Sequence, residues 1–240
     1  VSALHGIRAL VFDVFGTLVD WRGSIAREAR ELLAPRGVAI DWLAFADAWR
    51  AQYQPAMEEV RSGKIPFSKL DALHRRNLEV VLNEFAISAL DEATRVQLNL
   101  AWHRLDAWPD VAPGLNRLRE RFRIAPCSNG NVSLMVDLAR RNGLLWDAIL
   151  GAEFARDYKP KAVVYQSAAA AFDCEPLEVL MVAAHSDDLA AAARAGLRTA
   201  HVARPDEKGP GRGETAPRVP VDVAVRDLLD LADRLGASVD

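Results

Sequence analysis

Apolar and polar positions change texture twice along the chain. Residues about 7–14 (Ile7-Arg8-Ala9-Leu10-Val11-Phe12-Asp13-Val14) are mostly apolar and predict a buried strand, closed by the turn signal Phe15-Gly16-Thr17. From about Asp20 to Asp106 the patterning is almost wholly helical. Ser24 is the expected cap of a helix through Ala26, Ala29, Leu32 and Leu33. A second helix is expected from about Trp42 to Val60, crossed by Pro55, and further helices run through Leu70–Leu82 and about 91–105. Beyond the loop Trp108–Gly114 the texture becomes regular alternation. Helices of about 114–121, 132–142, 160–172 and 187–195 alternate with apolar strands at Phe122–Ala125, Ala148–Leu150, Val179–Ala183 and Arg198–Val202. A Pro- and Gly-rich loop, 205–220, precedes a last strand at Val221–Val225 and a last helix.

Strands spaced by helices of this size predict βαβ units and a parallel sheet. The expected fold is therefore α/β: a Rossmann-like parallel-sheet core, residues 1–20 plus 107–240, with a helical cap domain, 21–106, inserted after the first strand. In such sheets ligands lie at the carboxyl ends of the strands. Four polar clusters sit there: Asp13 with Thr17, Ser128-Asn129-Gly130, Lys159-Pro160, and His185-Ser186-Asp187-Asp188. One such cluster is ordinarily a turn or a helix cap. Four of them after successive strands of one sheet converge on one cleft.

Composition narrows the function classes. The chain has 240 residues, half of them hydrophobic, with 30 basic and 33 acidic side chains and a formal net charge of −3. That apolar fraction excludes disorder, and the charge balance argues against a nucleic-acid partner. Two cysteines, Cys127 and Cys174, make neither a disulfide framework nor a metal-ligand spacing, which points to the cytoplasm. No apolar run reaches 18 residues, so no membrane span is expected. The N-terminal apolar stretch meets Asp13 too soon to be a signal peptide.

The strand-end clusters resemble the motifs of the haloacid dehalogenase superfamily. Phe12-Asp13-Val14-Phe15-Gly16-Thr17-Leu18-Val19-Asp20 is similar to its first motif and Cys127-Ser128-Asn129-Gly130 to its second. Tyr158-Lys159-Pro160 is similar to its third, and His185–Asp188 with Gly196 to its fourth, the Gly spacing selecting Asp188 over Asp187. Phosphatases of the superfamily carry a second Asp two residues after the nucleophile, to protonate a leaving alcohol. Phe15 stands there instead, as in the L-2-haloacid dehalogenase branch. A halide departs as a weak base and needs no proton. Trp49-Arg50 in the insert resembles the dehalogenases' cap-domain Trp-Arg pair.

The resemblance implies hydrolytic dehalogenation of short (S)-2-haloacids to (R)-2-hydroxyacids. Asp13 would attack C2 to form an ester, with Thr17 and Lys159 orienting its carboxylate. Ser128 and backbone amides near Val14 and Phe15 would bind the substrate carboxylate. Arg50, a permanently charged donor, and Asn129 would cradle the halide. Asp188 would activate water, Tyr165 would support it, and Phe67 would line the cap side of the pocket. No cofactor and no metal are expected, and homodimers are common in the family. The fourth motif departs from the usual Ser-Ser-Asn-x-x-Asp form. His185 stands for Asn, either to orient the water or to donate to the halide; the latter opens the way to fluoroacetate. The alternative is a magnesium-dependent phosphatase of the same fold. A non-catalytic binding protein is a third class, opposed by the complete polar set.

Overall fold

The computed structural model describes residues 4–237. Strand β1 (Ala9–Phe12) is buried throughout and lies between β4 (Arg123–Ser128) and β6 (Val179–Ala183), parallel to both. With neighbours on both edges and helices over both faces, a strand in this place must be a continuous apolar run. Ala-Leu-Val-Phe satisfies that requirement. Beyond these strands lie β5 (Leu150–Gly151) on one side, and β7 (Arg198–Val202) and β8 (Val223–Val225) on the other, in the order β5-β4-β1-β6-β7-β8. All five pairings are parallel. The chain builds outward from β1 through β4 and β5, then crosses back to β6. The strand order therefore reverses at β1, and the crevice opens at its carboxyl end.

Alternate residues of β1 serve two cores. Leu10 and Phe12 pack with α6 (Val111–Arg119), α7 (Val132–Asn142) and α11 (Leu228–Arg234). Ala9 and Val11 pack with α9 (Ala162–Ala171) and α10 (Ser186–Arg194). The expected α/β class and the helical insertion after β1 are both present. The chain leaves the sheet through β2 (Val19–Asp20) and returns through β3 (Asp106–Ala107), which pair antiparallel as a two-stranded neck. Between them lie α1 (Trp21–Leu33), α2 (Trp42–Ala51), α3 (Tyr53–Arg61), α4 (Leu70–Glu84) and α5 (Glu92–Asn99). Among the described residues no helix is long and apolar enough to cross a membrane.

Several local expectations need correction. Asp20, not Ser24, caps α1, accepting from the Gly23 amide at 2.8 Å. Ser24 lies one turn inside, where its hydroxyl accepts the Asp106 amide at 2.9 Å and ties down the returning strand. The helix expected from Trp42 to Val60 breaks at Gln52. Pro55 has no N–H and its ring would clash with the carbonyl four residues back, so it fits only in the first turn of a new helix. The expected helix 91–105 tightens into a 3₁₀ turn after Asn99. A short helix, α8 (Ala152–Ala155), separates β5 from Lys159, which therefore sits on a loop rather than directly at a strand end.

Candidate active site

Asp13 follows β1 immediately, its amide bonded to the Val182 carbonyl of β6 at 2.9 Å, so the sheet itself aims the carboxylate into the crevice. Three groups converge on it. Lys159 Nζ donates to Oδ1 at 2.8 Å. Thr17 Oγ1 donates to Oδ2 at 2.7 Å, and His185 Nδ1 lies 3.1 Å from the same oxygen. The Thr17 hydroxyl also accepts the Ala184 amide at 2.9 Å, which leaves its proton for Asp13. Lys159 bridges onward to Asp188 Oδ2 at 2.6 Å, and the Tyr165 hydroxyl donates to Asp188 Oδ1 at 2.5 Å. Asn129 accepts the Lys159 amide at 2.9 Å through its side-chain oxygen, freeing its NH₂ for the cavity.

These contacts set the charges. Burial pushes the Asp13 carboxyl up, but Lys159 and His185 outweigh it and hold it well below the usual carboxylate range. Burial disfavours the Lys159 cation, yet Asp13 and Asp188 raise its pKa well above the ordinary lysine value. His185 behaves likewise: burial opposes its charge, while Asp13 and a second carboxylate, Glu207, push its pKa up to about 10. The nucleophile candidate is thus ionised, and flanked by two cations.

The cavity above Asp13 has a volume of about 1280 Å³ and runs between the sheet ends and helices α2 and α3. Of the residues expected in the site, Asp13, Phe15, Arg50, Asn129, Lys159, Tyr165, His185 and Asp188 line it. The break at Gln52 brings Arg50 and Tyr53 to the same wall. The Arg50 guanidinium lies 3.9 Å from the Tyr53 ring centroid, 5.4 Å from Trp21 and 5.7 Å from Phe15. Its Nη1 is buried without a hydrogen-bond partner. Leaving a buried charged donor unpaired costs about 1–3 kcal/mol or more, so the aromatic cradle presents a cation short of one acceptor. Trp49 turns the other way, into the cap core, donating to the His74 carbonyl at 3.1 Å.

The other expected residues lie off the cavity lining. Val14, Thr17 and Ser128 are buried behind its wall, Thr17 with its hydroxyl on Asp13 Oδ2, and the Ser128 hydroxyl accepts the Gly130 amide at 3.0 Å. Phe67 is outside the lining. It stacks on Tyr158 with centroids 5.5 Å apart, under the Arg156 guanidinium. His185 lines the cavity with its ring nitrogens 3.1 Å from Asp13 Oδ2 and 3.1 Å from Glu207 Oε1. The sequence reading missed Glu207, Tyr53 and Trp21. The aromatics fit an ordinary apolar helix face, and Glu207 is one of several acids in a loop with no periodicity.

A magnesium ion, as in phosphatases of this fold, does not suit these residues. Lys159 and His185 already bring positive charge to the carboxylates of Asp13 and Asp188, and Phe15 offers no oxygen where those phosphatases have a second Asp. Among the described residues no group of three or more His, Cys, Asp or Glu side chains could hold a metal ion.

A six-stranded parallel sheet thus presents an aspartate at the end of its first strand, with Thr17 and Lys159 on its carboxylate and Asp188 beyond Lys159. Residues 7–196 match the model of the haloacid dehalogenase-like hydrolases, and the chain belongs to that family. It is similar to a solved defluorinating L-2-haloacid dehalogenase, 43% identical with a TM-score of 0.93, covering 96% of this chain and 95% of that one. A second solved L-2-haloacid dehalogenase is 45% identical with a TM-score of 0.92, over 97% and 100% of the two chains. The (S)-2-haloacid dehalogenase 4A of Burkholderia cepacia is 28% identical over 217 residues, 89% of this chain and 90% of that protein.

Proposed function

We propose that this protein is an (S)-2-haloacid dehalogenase, converting short (S)-2-haloacids to (R)-2-hydroxyacids through an ester on Asp13. The observation that carries the reading is the pairing of an ionised Asp13 with Phe15 two residues on, below the unpartnered Arg50 cation. The nucleophile and leaving-group donor are present, while a phosphatase's general acid is not. Relatives named as dehalogenases over most of their length support it.

Oδ2 of Asp13 already accepts two donors and Oδ1 only one, so Oδ1 keeps a lone pair for attack on C2. The C2–halogen bond breaks as the Oδ1–C2 bond forms, and the halide leaves toward Arg50 and the Asn129 NH₂. The substrate carboxylate is held by backbone amides near Val14 and Phe15, and Ser128 fixes the turn at the end of β4 by accepting the Gly130 amide. In the second step water attacks the ester carbon and gives a proton to Asp188. The carbon–Oδ1 bond then breaks, and the departing oxygen takes a proton from Lys159 Nζ, which Asp188 restores across 2.6 Å. The remaining proton of the new Asp13 carboxyl goes to solvent. Residues 21–106 act as the cap that brings Arg50 over the core, 1–20 plus 107–240. Two buried, unpaired thiols suit the cytoplasm, and a homodimer is taken from family resemblance, for sedimentation to test.

Chloride release from (S)-2-chloropropionate is expected to persist in excess EDTA. Loss with EDTA and recovery with Mg²⁺ would defeat the reading. In-line attack inverts C2 once, and hydrolysis at the ester carbon leaves it alone, so the product is expected to be (R)-lactate. Chiral chromatography showing racemic or retained product would exclude an Asp13 ester. Fluoroacetate is proposed as a substrate, with Arg50 and Asn129 as the fluoride donors, since both nitrogens of His185 are engaged. No fluoride release from the wild type would remove it.

A further inference from the structure

Glu207 lies in the loop between β7 and β8, yet it is 2% exposed. Its Oε1 is 3.1 Å from His185 Nε2 and accepts the Trp21 indole N–H at 3.1 Å. It also packs on Gly16, in the turn that follows Asp13. A Cβ built on Gly16 would fall 2.3 Å from Glu207 Oε1, and Gly16 has φ +86°. The turn therefore needs glycine both for its backbone and for the carboxylate pressed against it. The loop is anchored to the same turn. Arg204 Nε donates to the Thr17 carbonyl at 2.7 Å, and its two terminal nitrogens fork onto Asp110 at 2.8 Å each. Burying a carboxylate costs several kcal/mol unless a partner offsets it, and the partner here is His185.

A carboxylate at each ring nitrogen leaves His185 one satisfactory state, with both nitrogens protonated. We propose that Glu207 is a positioning residue for hydrolysis of the Asp13 ester: it aims the His185 Nδ1–H at Asp13 Oδ2, so that His185 and Thr17 form the donor pair for the oxyanion. The assignment rests on the ester mechanism above. Once Oδ1 carries C2, Oδ2 is the ester carbonyl oxygen. Water attack on the carbon forms an O–C bond and moves the carbonyl π pair onto Oδ2. Thr17 at 2.7 Å and His185 at 3.1 Å already stand there. Preorganised donors at a developing oxyanion are the most effective catalytic devices of acyl transfer. In the first step the same cation works in the other direction, because it favours the Asp13 carboxylate over the neutral ester. Weakening it slows the second step and spares the first.

Glu207→Gln keeps the shape and removes the charge. With (S)-2-chloropropionate, rapid-quench chloride measurement on this variant is expected to show a burst of about one equivalent per enzyme, at the wild-type rate or faster. Steady turnover is expected to fall about 10²-fold, with the intact protein heavier by one carboxyethyl group on Asp13. The burst amplitude counts folded sites. A burst lost or slowed in step with turnover, unchanged turnover, or slow turnover without the adduct would overturn the assignment. A wild type that releases no chloride would instead defeat the proposed function itself.

Discussion

Asp13→Asn is expected to lose chloride release by a factor on the order of 10⁴ or more, the scale set by removing the nucleophile from other covalent hydrolases. The substitution is isosteric, so the loss belongs to chemistry. An amide oxygen carries no full charge and attacks carbon poorly. The wild-type carboxyl is held ionised by Lys159 and His185, each within about 3 Å of one of its oxygens. In the variant Lys159 keeps Asp188 and His185 keeps Glu207, so neither cation is stranded and folding is expected to survive. The check is twofold. Turnover in H₂¹⁸O under single-turnover conditions should place label first in Asp13 of the wild type, and the variant should show neither label nor adduct. Label passing straight to product in the wild type would show water attacking C2 and would end the ester mechanism.

Arg50→Ala is expected to cost about 10²–10³ in kcat, the usual consequence of removing a preorganised donor to developing anionic charge. Arg50→Lys is not expected to restore it. The guanidinium lies against the Tyr53 ring, 3.9 Å from its centroid, and faces Trp21 and Phe15. An ammonium on a flexible stem cannot repeat that stacking or its fork of donors. The loss should fall on the first step, so the chloride burst itself slows, opposite to the pattern expected of Glu207→Gln. It should also be larger for 2-chloropropionate than for 2-iodopropionate, because the smaller halide gains more from hydrogen bonding as it leaves. Near-normal turnover, or equal losses for both halogens, would move Arg50 from the leaving-group site to a structural place in α2.

Much of this site is legible in the sequence because its parts are local to strand ends. Asp13 and Thr17 share one turn, Ser128 and Asn129 close β4, and the fourth cluster follows β6. A parallel sheet gathers its carboxyl ends in one crevice whatever the details of packing. The aromatic at Phe15 is equally local, and it bears on the choice between alcohol and halide departure without reference to any other residue. Helix limits were less legible where a cap or a proline competed with periodicity. Asp20 displaced Ser24 as the cap of α1, and Pro55 divided one expected helix into α2 and α3.

The chain's pattern of apolar and polar positions determined the α/β alternation, the helical insertion after β1 and the place of Asp13 at the end of the first strand, since each is written in local runs of residues. Tertiary structure alone decided who surrounds them. Trp21 and Glu207 meet across a separation of 186 residues, and His185 reaches Asp13 across 172. Phe67, expected to line the cavity, stacks on Tyr158 instead. No periodicity encodes such neighbours. They follow from the way a loop of prolines and glycines, tied by Arg204 to Asp110 and to the Thr17 carbonyl, lays one carboxylate on the glycine of the nucleophile turn.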